Sequence, residues 1–443
     1  VRLRPPEKVE KLQKTLHAKA KDAPDYRFYA LYDKMYRADV LRHAFDCCRA
    51  NDGKPGVDGQ TFGDIEQYGV DQWLGELTEE LRAKRYVPQP VRRVYMAKPG
   101  QPNKTRPLGI PTIKDRVVMT AMLLVLEPIF EADLLPEQYA YRSEKSALDA
   151  VHHVQALVRS GHKEVIDADL SGYFDSIPHA ELIKSVARRI SDSRILRLIK
   201  LWLQAPVEET DTRGRTRRTT VNKDTGRGTA QGSPISPLLA NLYMRRFVLG
   251  WKTLGHEKRF QAKIVNYADD LVICCRHSSH QAMQAMRSMM RKLKLTINEE
   301  KTHVCKLPKE SFDFLSYTFG ECVSWRTGKR YLTERPSKKK VQALRRRISE
   351  LTARKWCWRS AEGVTAQLNR MLVGWANYFC SGPVGKPYSS ITKHARRRLR
   401  RWLCLKHKVQ GSGWSRFPDA YLHQELGLVQ LRWRDFNRPR ANA

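Results

Sequence analysis

Two short stretches carry carboxylates where apolar side chains would be expected. In Val165-Ile166-Asp167-Ala168-Asp169-Leu170 the flanking residues are strand formers, and the period of two in a strand sets Asp167 and Asp169 on one face. Further along, Ile264 to Tyr267 and Leu271 to Cys275 are apolar runs separated only by Ala268-Asp269-Asp270, which predicts a tight antiparallel hairpin with adjacent carboxylates at its tip. An unpaired carboxylate in an apolar setting is costly or is forced to protonate, and neither motif contains a Lys or Arg. Such a cluster invites a divalent cation. Mg²⁺ binds through one or two carboxylates plus waters and substrate phosphates, so three aspartates on two adjacent strands predict a pair of ions about 4 Å apart. The chemistry of such a pair is phosphoryl transfer, one ion activating an attacking hydroxyl and the other neutralising charge on the leaving phosphate. Simple turn chemistry is the competing explanation for Asp269-Asp270.

The charge balance says what the substrate would be. The 443 residues include 81 Lys+Arg and 46 Asp+Glu, a net charge of +35, together with 9% aromatics. This is too basic for an ordinary metabolic enzyme and predicts a polyanionic partner, because Lys and Arg gain affinity by releasing phosphate-bound counterions. With 41% hydrophobic residues the chain can build real cores, which excludes wholesale disorder. The nine cysteines contain no Cys-x-x-Cys pair, so neither a zinc ribbon nor a disulfide framework is indicated. Apolar runs such as Ala121 to Leu126 are far short of a membrane span, and the charged start Val1 to Lys21 is unlike a signal peptide, so a cytoplasmic protein with no membrane partner is expected.

The elements that must position these residues follow from spacing. Residues 1–24 form a Lys-rich lead-in closed by Pro24, and Leu31, Met35, Leu41 and Phe45 predict one helix over Tyr26 to Arg49. The loop Asn51 to Gly59 has turn chemistry throughout, and its three glycines allow a close backbone approach, although a plain surface connection would look the same. Val91 to Met96 and a second strand ending at Ile110 predict a basic β-hairpin. Helices are expected at Arg116 to Phe130 and Ser146 to Arg159, followed by a strand from Glu164 to Leu170. Between Arg335 and Lys408 there are twenty Lys+Arg and only Glu350 and Glu362, with Leu344, Ile348, Leu368, Leu372, Trp375, Leu399 and Trp402 at helical spacing. Three basic amphipathic helices that grip a phosphate backbone fit this segment.

Several blocks then resemble, in order, the motifs of group II intron reverse transcriptases. Tyr267-Ala268-Asp269-Asp270 resembles their catalytic hairpin, and Gln231-Gly232-Ser233-Pro234 with the residues through Asn241 resembles the segment before it. Gly56 to Gly59, Arg106 to Pro111, Asp167-Ala168-Asp169 with Tyr173-Phe174-Asp175, Asn298 to Thr302 and Phe314-Leu315 fall in the matching order. Leu368 to Phe379 is similar to the maturase region, domain X, of the same family. The resemblance implies an α+β right-hand polymerase fold followed by an α-helical thumb. Its expected divisions are a basic N-terminal extension (1–24), fingers (25–115), palm with remaining finger elements (116–330), thumb and domain X (335–405) and a C-terminal tail (406–443).

By the same resemblance Asp169, Asp269 and Asp270 are the catalytic metal ligands for two Mg²⁺ ions, with Mn²⁺ also accepted, and Asp167 is a structural acid. Lys98 and Arg106, with Arg92 as a weaker third, would contact the incoming deoxynucleoside triphosphate, where fixed cations offset charge on pyrophosphate. Gln231 would lie near the nucleotide and template base, and Phe174 would clash with a ribose 2′-hydroxyl unless it is merely core. Asn298 and Lys301 would line the primer side. Lys338, Lys339 and Lys340 with Arg396, Arg397 and Arg398 would hold nucleic acid, either intron RNA or the primer-template duplex. The implied activity is RNA-directed DNA polymerisation on an RNA template from a DNA primer or target, with maturase assistance to intron splicing and mobility. Alternatives are a free-standing reverse transcriptase in host defence or DNA repair, or a non-catalytic RNA-binding splicing cofactor, against which the three intact aspartates argue. Ala230, Asn266 and Ser143-Glu144-Lys145 depart from the usual proline, arginine and Pro-Gly-Arg-like turn, and Glu144 would add negative charge near a nucleic-acid groove. With about 35 residues beyond domain X, no endonuclease is expected, as in compact class C-like members.

Overall fold

The computed structural model describes residues 3–98, 101–211, 213–324 and 327–432, with the backbone alone at Lys98 and residues 101–104. The chain divides into two units, Val1–Ala150 with Ala168–His303, and Val151–Asp167 with Val304–Ala443. The division therefore runs through the predicted 116–330 segment. The helix Ala147–Arg159 and the strand Glu164–Asp169 each have residues in both units.

In the first unit, the helix Ile113–Glu131 is apolar almost all round and buries Val117, Val118, Ala121, Met122, Val125, Leu126 and Ile129, as a helix surrounded by others must. It starts three residues before the predicted Arg116 because Thr112 caps it, its Oγ1 accepting the Asp115 amide at 3.1 Å. The N-terminal lead-in is not an extension. Glu7–Asp22 is a helix that buries Val9, Leu16 and Ala20 and packs on Ile113–Glu131. Pro128 lacks the amide that would have bonded the Leu124 carbonyl, and Gln13 Nε2 donates to that carbonyl instead at 3.0 Å. The predicted Tyr26 to Arg49 helix is broken into Tyr32–Met35 and Ala38–Asn51, with Arg37 extended between them. Asp192 caps the start of the first piece from outside by accepting the Leu31 and Tyr32 amides, each at 2.9 Å.

The basic hairpin forms as expected from Val91–Lys98 and Gln101–Ile110, with Arg92 opposite Ile110 and Met96 opposite Arg106. Val91 to Arg93 also pair in parallel with Val207 to Glu209, and Thr216–Thr219 completes a four-stranded sheet. The loop Asn51 to Gly59 does make a close approach, but to its own fold. A Cβ at Gly56 would lie 2.6 Å from the Thr112 Cα.

The second unit contains a three-stranded sheet (Phe312–Phe314, Tyr317–Val323, Arg330–Pro336) and the three predicted helices, at Lys338–Leu351, Ala361–Tyr378 and Gly385–Lys406. Leu344, Ile348, Leu368, Leu372, Ile391, Leu399 and Trp402 form the helical core. Phe417, Leu422, Leu428 and Leu431 are buried in that same core, so the described part of 406–443 is not a tail. Asn369 secures it through its side chain, donating to the Gly427 carbonyl at 2.8 Å and accepting the Val429 amide at 2.9 Å.

Candidate active site and nucleic-acid interface

Ala262–Tyr267 and Asp270–Cys275 pair antiparallel with Tyr267 opposite Asp270. The turn is thus two residues, Ala268-Asp269, and Asp270 belongs to the strand. Every residue from Leu271 to Cys275 is buried while Asp269 and Asp270 are exposed, so the apolar strands present the carboxylates at one end. Ala268 adopts φ +57°, uncommon for a residue with a Cβ. Asn266, 1% exposed, supports that turn by donating from Nδ2 to the Ala268 carbonyl at 2.9 Å, and its backbone bonds Glu137 and Tyr139.

Asp169 ends its strand with its backbone and side chain all held by the segment Asn298 to Thr302. Its amide donates to Thr302 Oγ1 at 3.1 Å, its carbonyl accepts the Asn298 amide at 2.8 Å, and its Oδ2 lies 2.8 Å from Lys301 Nζ. Asn298 therefore acts here through its backbone, and Lys301 is a partner of the expected metal ligand. Asp167, two residues earlier, is half-buried and adds to the electrostatic surroundings of Cys305, whose thiol burial pushes up to about 11.

Tyr173, four residues after Asp169, ties that segment to the helix Ser236–Thr253 and lies near Asp269. It is fully enclosed, donates to the Ala240 carbonyl at 2.7 Å, and its phenol is pushed well above the ordinary value by burial first, with Tyr243 and Asp269 adding. Phe174 packs edge-on to it with ring centroids 5.8 Å apart and is half-buried, so it is not a closed core residue. Its carbonyl accepts the Thr229 amide at 2.8 Å, joining it to the loop that carries Gln231. That loop is pinned to the basic hairpin: the Gly109 amide donates to the Gln231 carbonyl at 2.6 Å. Gly232 has φ +108°, and a Cβ there would lie 2.6 Å from the Gly109 carbonyl oxygen, so only glycine fits.

Arg106 is exposed on the hairpin, and Arg92 is half-buried with Nε and Nη2 lacking a protein partner among the described residues. The Lys98 side chain lies outside the described residues. Tyr141, which the motif reading did not single out as a site residue, lies near Arg106 and the two hairpin aspartates. Its hydroxyl is pushed above the ordinary value by burial, then by Asp269, Tyr267 and Asp270, while Arg106 pulls the other way. Tyr141 and Gly232 also line a cavity of about 520 Å³ with Arg116, Cys48 and Leu238. The only sequence signal for Tyr141 was its place before Arg142, which anchors the loop by pairing with Glu131 at 2.5 Å. Ser143 and Glu144 line a separate groove with Glu10, Lys14 and His17 of the first helix.

The donor set suits a hard divalent ion, since all three aspartates offer oxygen only and Asp169 already accepts a cationic group from Lys301. Among the described residues no group of three or more His, Cys, Asp or Glu side chains is placed so that it could by itself hold a metal ion, so the structure does not gather Asp169, Asp269 and Asp270 into a finished site. That is compatible with Mg²⁺, which takes much of its shell from waters and phosphates.

The basic residues of the helical unit do not act as one patch. Lys338, Lys339 and Lys340 are exposed in the first helical turn. Of the arginine triplet, only Arg397 faces solvent freely. Arg396 pairs with Asp419, and Arg398 donates to Thr352 Oγ1 (3.1 Å) and to the Ser349 and Thr352 carbonyls (2.9 and 3.0 Å), capping the end of the helix Lys338–Leu351. The helical period separates adjacent residues by about 100°, which a run of like letters conceals.

A family model described as reverse transcriptase (RNA-dependent DNA polymerase) matches residues 96–319, and one described as group II intron, maturase-specific domain matches residues 341–418. Protein YkfC of Escherichia coli (strain K12) is 31% identical over 348 residues, 70% of this chain and 87% of that protein. The group II intron-encoded protein LtrA of Lactococcus lactis subsp. cremoris is 31% identical over 234 residues, 52% of this chain and 36% of LtrA. The putative COX1/OXI3 intron 1 protein of Saccharomyces cerevisiae is 24% identical over 336 residues, 64% of this chain and 38% of that protein. No described helix is long and apolar enough to cross a membrane. The chain belongs to the reverse transcriptase family and carries a group II intron maturase-specific domain after its polymerase region.

Proposed function

We propose that this protein extends a DNA primer on an RNA template and that its helical unit binds intron RNA and assists splicing, in the bacterial cytoplasm or nucleoid. The observation that carries the polymerase reading is the end of the Asp270–Cys275 hairpin, where an otherwise apolar structure exposes Asp269 and Asp270 beside Tyr173 and the Asp169 segment. Asp169, Asp269 and Asp270 would hold two Mg²⁺ ions, which supply the charge that activates the primer 3′-hydroxyl and offsets the leaving pyrophosphate.

The residues of the chain do the rest. Arg106, and Arg92 behind it, neutralise the triphosphate, and Tyr141 closes the space between Arg106 and the aspartates. Gln231, held by the Gly109 amide, positions nucleotide and template base, and the half-buried Phe174 ring discriminates against a 2′-hydroxyl. The experiment is primer extension by the purified chain on an RNA template with deoxynucleotides and Mg²⁺. Extension lost with a chelator and with Asp269→Asn supports the reading; no extension by a folded, RNA-binding wild type overturns it.

A further inference from the structure

The helix Gly385–Lys406 carries two adjacent rows of side chains at four-residue spacing, Arg396, Arg400 and Cys404 in one, Lys393, Arg397 and Arg401 in the other. Asp419 neutralises only the inner row, pairing with Arg396 and Arg400. It is the one carboxylate, among the described residues, lining a hollow of about 460 Å³ that Lys393, Arg397 and Arg401 also line. Three cations one turn apart repel one another, and Arg397 and Arg401 already depress the basicity of Arg398 after burial does. Such an arrangement is stabilised by an anion.

The lining also includes one aromatic side chain, Trp414. Arg400, whose side chain is only 5% exposed, donates from Nε to the Phe417 carbonyl at 2.8 Å and lays its guanidinium 3.6 Å from the centre of the Trp414 ring. One face of the indole is thus covered, while Trp414 as a whole stays 57% exposed. The loop that presents it is pressed onto the helix at Gly413 (φ +71°), where a Cβ would fall 2.2 Å from Cys404 Sγ. The indole is therefore fixed before any ligand arrives, and Ser412, whose hydroxyl can donate and accept, also lines the hollow.

We infer that this hollow captures one unstacked nucleotide of an RNA strand, its phosphate on Lys393, Arg397 and Arg401 and its base on the open face of Trp414. A planar base on an indole backed by a guanidinium, next to unneutralised cations, combines the two contacts by which single-stranded RNA is held. The hollow lies largely within the match to the maturase-specific domain, residues 341–418, so the choice of RNA rests on the proposed function of that unit.

The test uses the full chain and an unstructured oligouridylate of about twelve nucleotides bearing one 5-iodouridine, with the same sequence as DNA in parallel. Photo-crosslinking should label Trp414. Trp414→Ala should weaken RNA binding by about tenfold or more with an unchanged salt slope, and Trp414→Phe should restore most of it. Arg397→Gln with Arg401→Gln should lower the log-log salt slope by about 1.4, two single-strand phosphates' worth. A crosslink elsewhere together with wild-type affinity in Trp414→Ala overturns the pocket, and equal behaviour of the DNA strand overturns the assignment to RNA. Failure of Trp414→Ala to weaken binding, in a wild type that extends primers and promotes splicing, rejects the pocket and leaves the proposed function standing. Absence of any RNA binding by wild type rejects both.

Discussion

Lys301 Nζ lies 2.8 Å from Asp169 Oδ2, a contact between residues 132 positions apart that sets an ammonium against a proposed metal ligand. The Lys301 side chain is 63% exposed and that of Asp169 35%, so the pair is screened and adds little to stability. Its importance is local. A cation that approaches Asp169 must compete with the ammonium or displace it.

Lys301→Met should therefore tighten Mn²⁺ binding by the nucleotide-free protein a few-fold, because a competing positive charge has been removed. A Mn²⁺ titration followed by electron paramagnetic resonance measures this directly. Unchanged or weaker binding would detach Lys301 from the metal site.

Asp269→Asn or Asp169→Asn should reduce primer extension by about a hundredfold or more and leave RNA affinity within about twofold, since the metals serve chemistry rather than docking. Both quantities can be read from one preparation by gel extension and filter binding. Extension within about tenfold of wild type would remove the metal assignment.

Phe174→Ala should admit ribonucleotides. The ring is half-buried and its neighbour Tyr173 is fully enclosed, so truncating Phe174 leaves the support beneath it in place. The ratio of ribonucleotide to deoxynucleotide incorporation is the readout, and an unchanged ratio in a folded variant would return Phe174 to a packing role.

The hairpin and its carboxylates were legible because alternating burial and a short turn leave a local trace, and the three basic helices because their leucines keep helical spacing. The N-terminal helix was not, since Val9, Leu16 and Ala20 are sparse among lysines and have meaning only against the helix Ile113–Glu131, where Gln13 and His17 also bond the Leu124 and Pro128 carbonyls more than a hundred residues away. Lys301 and Tyr141 escaped a role at Asp169 and Asp269 for the same reason. In Arg396-Arg397-Arg398 the letters are equal but the surroundings differ, and only packing separates a pair to Asp419, a solvent cation and a helix cap.

That separation can be measured. Arg398→Ala removes three hydrogen bonds that close the end of Lys338–Leu351, a loss of about 2 kcal/mol and a Tm drop on the order of 5 °C for a unit of this size. Arg397→Ala should leave Tm unchanged. Equal Tm values for the two variants would contradict the capping role.

The last prediction concerns acid sensitivity of the loop that carries Gln231. His179 is buried and bonds the Gly228 carbonyl through Nε2 at 2.7 Å, which requires the proton on Nε2, while Nδ1 is enclosed with no partner among the described residues. Protonating Nδ1 would bury an unpaired N–H, so burial holds the imidazole below its ordinary value of 6.5. Because the folded value is depressed, the unfolded chain takes up the proton first as pH falls. The stabilisation is therefore fully present above about 6.5 and is lost progressively below it, down to the folded value. His43, His256 and His394 shift in the same direction, so the comparison must isolate one residue. His179→Gln keeps a donor for Gly228 and removes the titration. The fall in Tm between pH 7.5 and 5.5 should be smaller in His179→Gln than in wild type. Identical pH profiles for the two proteins would show that His179 does not hold this loop.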